Sequence, residues 1–200
     1  MKKLIFIFLI FPTIIYGQFE FFKMRFDSLW AQSDTNTFRQ TLEKYNLSFH
    51  KPDSFVIEPV HKNYDVFYHY AIKHVTKKVE IRYVIRYLDN MSFDTNSLDA
   101  DKFSFSIFSL LTMNAAGSNF SNMPVINILD KTDYPKNLPV VWAAYSDFNP
   151  SSDFGKDYLF CRTYGFRLKN DIMIYYILLF ENYFKDSYLE KSALESINTK

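Results

Sequence analysis

Ten residues, VEIRYVIRYL at 79–88, constrain the fold more than any other stretch of this chain. Ile81, Tyr83, Ile85 and Tyr87 alternate with Glu80, Arg82, Val84 and Arg86, so a strand here has one apolar face and one mostly polar face. A period of two with that polarity predicts a half-exposed antiparallel strand. Two β-like runs precede it, at 55–60 and 64–73, and residues 75–78 read as a hairpin connection with Lys77 and Lys78 at its tip. Further on, residues 158–168 and 172–181 predict a second hairpin joined by Lys169, Asn170 and Asp171.

Helical spacing occupies the intervals between these strands. Residues 34–46 predict a helix capped by Thr35 or Thr37, with Phe38, Leu42 and Tyr45 on one face. A second helix enters at 96–101 and carries the stripe Phe103, Ile107, Leu110, Leu111 and Ala115 before Gly117 stops it. Residues 187–197 read as a closing helix and 125–129 as a short strand. The stretch 134–145 holds two prolines and predicts one short helical turn, and 146–157 reads as a polar loop. Runs of antiparallel strands broken by helices predict an α+β fold, a mainly antiparallel sheet with flanking helices.

Export is written into the first seventeen residues, MKKLIFIFLIFPTIIYG. Lys2 and Lys3 precede an apolar run of 13 residues, and Gly17 offers a small residue for cleavage before Gln18. That run is well short of the roughly 20 residues a bilayer-spanning helix needs. A cleaved signal peptide at 1–17 is therefore expected, followed by one α+β domain at 18–200 with an N-terminal helical segment. The compartment is secreted or periplasmic, and nothing spans the membrane after cleavage. Without Lys2 and Lys3, 21 basic residues face 22 acidic ones, a net charge of −1 that offers no electrostatic draw toward nucleic acid. Cys161 is the single cysteine, so no internal disulfide forms and stability rests on packing. Its setting in YLFCR predicts a buried, inert thiol.

The segments NLSFHKPDSFV, VEIRYVIRYLD, WAAYSDFNP and GKDYLFCRTYGFRLKNDIMIYYILLFEN resemble a group of small secreted bacterial proteins whose strand and helix arrangement is similar to the PsbP-like α/β sandwich. The likeness covers roughly residues 40–195, through hydrophobic pattern and turn positions. It implies a binding or assembly factor rather than an enzyme. A fold-level likeness assigns no ligand.

Residue patterns that would carry chemistry are sparse. Asp147, Asn149, Ser151 and Asp153 alternate oxygens as a calcium loop does, but Ser152 stands where such a loop needs glycine and Tyr158 where it needs glutamate. His69 and His74 are five positions apart and point to opposite faces of a strand, so with His61 they make no zinc site. Cys161 has no neighbouring base, and neither a nucleophile elbow nor a phosphate-binding glycine loop occurs. No catalytic residue, metal ligand or cofactor is assigned. The candidate ligand-facing residues are Arg82 and Arg86, about 13 Å apart on one strand face at ~3.3 Å per residue, joined by Arg162 from a later strand. They would line a groove for an anionic or glycan ligand, or else form a solvated charged face that deters edge pairing. The expected function is a non-catalytic binding or envelope-associated factor for an unknown protein or glycan. Its rival is a hydrolase of envelope or imported polymers.

Overall fold

A computed structural model describes residues 35–63, 65–88, 100–117, 123–182 and 187–200. The signal sequence expected at 1–17, the mature start at Gln18 and the helix entrance at 96–99 lie outside those residues. In chain order the elements are α1 (Thr35–Lys44), β1 (Leu47–Phe49), β2 (Phe55–Glu58), β3 (Tyr70–His74), β4 (Val79–Tyr87) and α2 (Ala100–Ala116). Then come β5 (Val125–Ile128), a 3-10 turn (Lys131–Asp133), β6 (Val140–Phe148), α3 (Ser152–Gly155), β7 (Phe160–Leu168), β8 (Ile172–Phe180), α4 (Ser187–Leu194) and β9 (Ile197–Thr199). The fold is α+β, with a seven-stranded antiparallel sheet in the order β2-β3-β4-β8-β7-β6-β5 and a separate ribbon, β1-β9.

β4 and β8 form the spine of that sheet, paired without interruption from Val79↔Phe180 to Tyr87↔Ile172. β8 reads IMIYYILLF, and all nine of its residues are buried. A strand apolar at both parities needs cover on both faces, and the chain supplies it. One face carries Ile81, Tyr83, Ile85, Phe166 and Tyr176 beneath α1, α4 and the β1-β9 ribbon. The other carries Ala71, Val84, Cys161, Tyr175 and Ile177 beneath α2, α3 and residues 66–68.

This two-sided cover corrects the half-exposed strand expected at 79–88: its first seven residues are buried, Glu80 and Arg82 among them. The hairpin turn at 75–78 lies where expected, but β3 begins at Tyr70 rather than at residue 64. Val66, Phe67 and Tyr68 all pack into the cluster on the second face, which the alternation of a regular strand forbids, because this segment lies across that face. β6 replaces the short helical turn expected within 134–145 and extends into the stretch read as loop. Val140, Val141 and Trp142 favour its start, while AAYSD lacks β-branched residues and continues the strand through pairing with β7. The closing helix ends at Leu194, and Ile197 passes into β9. Among the described residues no helix is long and apolar enough to cross a membrane.

α2 shows how the sheet decides which side of a helix is buried. Its inward residues are Ser104, Phe108, Leu111, Thr112 and Ala115, while Leu110 is 57% exposed and Phe103 and Ile107 are half-buried. The cause is Gly165 in β7, where a side chain's Cβ would stand 2.6 Å from the Phe108 ring. That notch draws in Phe108, which stacks on Tyr175 at 6.2 Å between centroids. Ser104 and Thr112 can be buried because their hydroxyls donate to the carbonyls of Ala100 (2.8 Å) and Ser109 (2.9 Å). Gly165→Ala is therefore expected to cost about 1–3 kcal/mol through overpacking. Adding Phe108→Leu should return part of that loss in denaturant melts. An unchanged midpoint for Gly165→Ala would contradict this packing.

Candidate functional site

The three arginines singled out from the sequence do not form one surface. Arg82 is 1% exposed and lies inside the second face. Its Nε donates to Glu80 Oε1 at 2.6 Å and its Nη1 to the Phe154 carbonyl at 2.7 Å. The rings of Tyr68 and Phe154 stand 4.8 and 4.5 Å from the guanidinium carbon. Two ring faces and two hydrogen bonds offset the loss of water around this cation. Burial and the Glu80 carboxylate, which its hydroxyl hydrogen-bonds, raise the pKa of Tyr158. The cluster fastens α3 to the sheet and leaves no room for a ligand at Arg82.

Arg86 is half-buried further along the same face. Arg162 lies on the opposite face, opposite Leu178 in the register and of one parity with Tyr164. It makes a two-pronged pair with Asp147 (2.6 and 2.8 Å) and a third bond to Glu190 (3.1 Å), and the Tyr164 hydroxyl also bonds Glu190. These contacts tie α4 to β6 and β7. Asp147 and Glu190 do converge, as the carboxylates of a hydrolase would, but they converge on a guanidinium.

The other sequence candidates serve the fold. Asn149 Nδ2 donates to the Leu159 carbonyl, and Ser151 Oγ caps α3 by accepting from the Phe154 N–H (3.1 Å). Burial pushes the Cys161 thiol up to about 12, and the Thr163 hydroxyl lies 3.6 Å from its sulfur. His74 Nδ1 accepts from the backbone N–H groups of Thr76 (3.1 Å) and Lys77 (3.0 Å), closing the hairpin turn. His61 pairs with Glu58 at 3.6 Å. His69 Nδ1 accepts the Ile85 N–H at 3.2 Å, so a ring nitrogen takes a ladder position just before β3 begins. Burial, and to a lesser degree Arg86, push that imidazole down to about 4.

An open cleft on the first face, which the sequence reading did not single out, has the features of a binding site. It encloses about 360 Å³ between α1, β1 and the β2-β3 edge. Asn46, with φ of 56°, turns the chain out of α1 so that β1 lies beside the helix. The floor is an aromatic stack. Phe38 lies parallel to Tyr70 at 4.5 Å, and Phe49 meets both edge-on at 5.4 and 5.3 Å. Ile57, 52% exposed, forms one lip. Arg39, Lys51 and Lys200 line the same cleft, with Glu43 as its one acid. The Lys51 ammonium is anchored on the carbonyls of Phe55 and Pro52, and the Lys200 N–H bonds the Asn46 carbonyl (3.0 Å). Burial raises the pKa of the Tyr70 hydroxyl while the nearby Arg39 lowers it.

No protein-family model and no curated protein matches the chain. The cleft therefore stands on its own geometry.

A second cleft, about 520 Å³, lies between residues 50–54, His74 and α4. It mixes Lys77 with Asp53 and Glu195, so it presents no consistent charge, and polar groups make up a larger share of its lining than in the first cleft. Among the described residues no group of three or more His, Cys, Asp or Glu side chains could hold a metal ion.

Two expectations test this assignment of roles. Arg82→Ala strands Glu80 in the core and should cost about 3–5 kcal/mol, whereas Glu80→Leu with Arg82→Met should recover most of it. Arg86→Ala should stay within about 0.5 kcal/mol in the same melts. A wild-type midpoint for Arg82→Ala would refute the buried pair. The His69 pKa is lower folded than unfolded, where it lies near 6.5, so the unfolded chain binds more protons between these values. The stability due to the neutral ring is complete above about pH 6.5 and is lost as pH falls toward 4. His69→Asn keeps an acceptor that does not titrate, so it should lose less stability than the wild type between those pH values. Identical pH–stability curves would remove His69 from the account.

Proposed function

We propose that this chain is an exported, non-catalytic binding factor, secreted or periplasmic, whose ligand enters the cleft between α1, β1 and β2. The observation that carries this reading is the cleft itself, where a floor of packed aromatic rings meets three basic side chains at an open mouth. Clefts that combine apolar lining with a few fixed polar groups are the usual form of a small-molecule site. The groups that would suit catalysis are engaged elsewhere: Arg82 with Glu80, Asp147 and Glu190 with Arg162, and Cys161 in the core. The signal-like residues 1–17 support export. The resemblance to PsbP-like domains, which mostly serve as binding or assembly factors, points the same way.

Ile57 gives a direct test, because it is exposed at the lip and its replacement removes nothing from the core. Mature protein carried by the native host should begin at Gln18. Incubated with an envelope extract and examined by native mass spectrometry, it should retain a small-molecule adduct that Ile57→Trp loses. An adduct kept by Ile57→Trp would place binding elsewhere. Conversion of extract components by the wild type would favour the hydrolase reading.

A further inference from the structure

The charges around the cleft narrow the class of its ligand, on the assumption that the cleft is the binding site. Arg39 and Lys200 are exposed, and among the described residues neither side chain has a carboxylate partner. This sets them apart from Arg82, Arg162 and Arg167, each of which is held by at least one acid. Lys51 is constrained differently. Its ammonium donates to two carbonyls, which fixes its position while leaving one of its three N–H donors and its full positive charge unused. Three cationic side chains against that of Glu43 give the lining a net side-chain charge of +2 in a chain that is close to neutral overall. Between them lies the Phe38–Tyr70–Phe49 stack, with Ile57 at the lip.

A solvated cationic patch would need no apolar floor, and a purely apolar groove would not gather unpaired cations. The geometry points to a small organic acid as the ligand: an apolar or aromatic body against Phe49 and Ile57, and a carboxylate among Arg39, Lys51 and Lys200. About 360 Å³ is at the small end of ligand-site volumes, which suits a compact acid rather than a long lipid chain. The anchored Lys51 donor supplies direction, and the exposed Arg39 and Lys200 supply attraction that salt will screen.

Three probes of one shape separate the contributions: 4-phenylbutyrate, its neutral amide, and the cation 4-phenylbutylamine. Titrated into the mature protein by calorimetry at low salt, the acid should bind roughly ten-fold or more tightly than the amide, and the amine least. Arg39→Gln with Lys200→Gln changes only exposed side chains and should weaken the acid about ten-fold while leaving the amide unchanged. Lys51→Gln should weaken it further, with a thermal melt checking that the fold is kept. Raising the ionic strength should weaken the acid selectively. Equal binding of acid and amide, or tightest binding of the amine, overturns the organic acid while leaving a binding cleft in place. If none of the three binds at millimolar concentration, the organic acid is likewise overturned. The binding reading itself fails only if the envelope extract leaves no adduct that Ile57→Trp abolishes.

Discussion

A central strand with no polar face governs this molecule. β8 is buried along its whole length, and its partner β4 is buried through Ile85. Each must therefore be covered above and below, and the placement of every other element follows. Helices α1 and α4 settle on one face, and the long helix α2 settles on the other. Stretches too irregular to form strands, residues 66–68 and the turn bearing α3, close the remaining gap. Covering apolar area on two faces also explains how a chain of this size holds together without a disulfide.

The cover has an electrostatic consequence. β4 brings Glu80 and Arg82 into a space that β8 and α3 have made apolar. Neither charge is tolerable there alone, and the pair persists because the carboxylate, a carbonyl and two aromatic faces surround the guanidinium. Arg162 solves a milder version of this problem at the rim, between Asp147 and Glu190. In both places charge fastens a peripheral element to the sheet. The cleft differs: Arg39 and Lys200 are exposed there, and among the described residues neither side chain has a carboxylate partner.

Much of the fold was legible in the sequence. The α+β class, the two hairpins, the first helix and the buried cysteine follow from periodicity and turn residues, because those signals are local. β6, β1 and β9 were not legible. The middle of β6, AAYSD, has weak strand propensity and is held extended by its pairing with β7; β1 and β9 have three residues each and exist only as each other's neighbour. The candidate site was hidden for a related reason. Arg39, Lys51, Ile57 and Tyr70 come from separate segments and Lys200 lies far along the chain, and no spacing rule links them.

The sequence alone determined that strands alternate with helices, where the chain reverses, and that residues 79–88 form a strand with Ile81, Tyr83 and Ile85 on one side. It could not determine what lies over the other side. An alternation of apolar and charged residues looks the same whether the charged face meets water or meets a second layer that supplies partners. Only the tertiary structure, by laying Tyr68 and Phe154 across Arg82 and leaving Arg39 and Lys200 exposed with no acid partner among the described residues, decided which cations hold the fold and which do not. The physical reason is that the cost of a buried charge depends on its surroundings, and those come from residues distant in the chain.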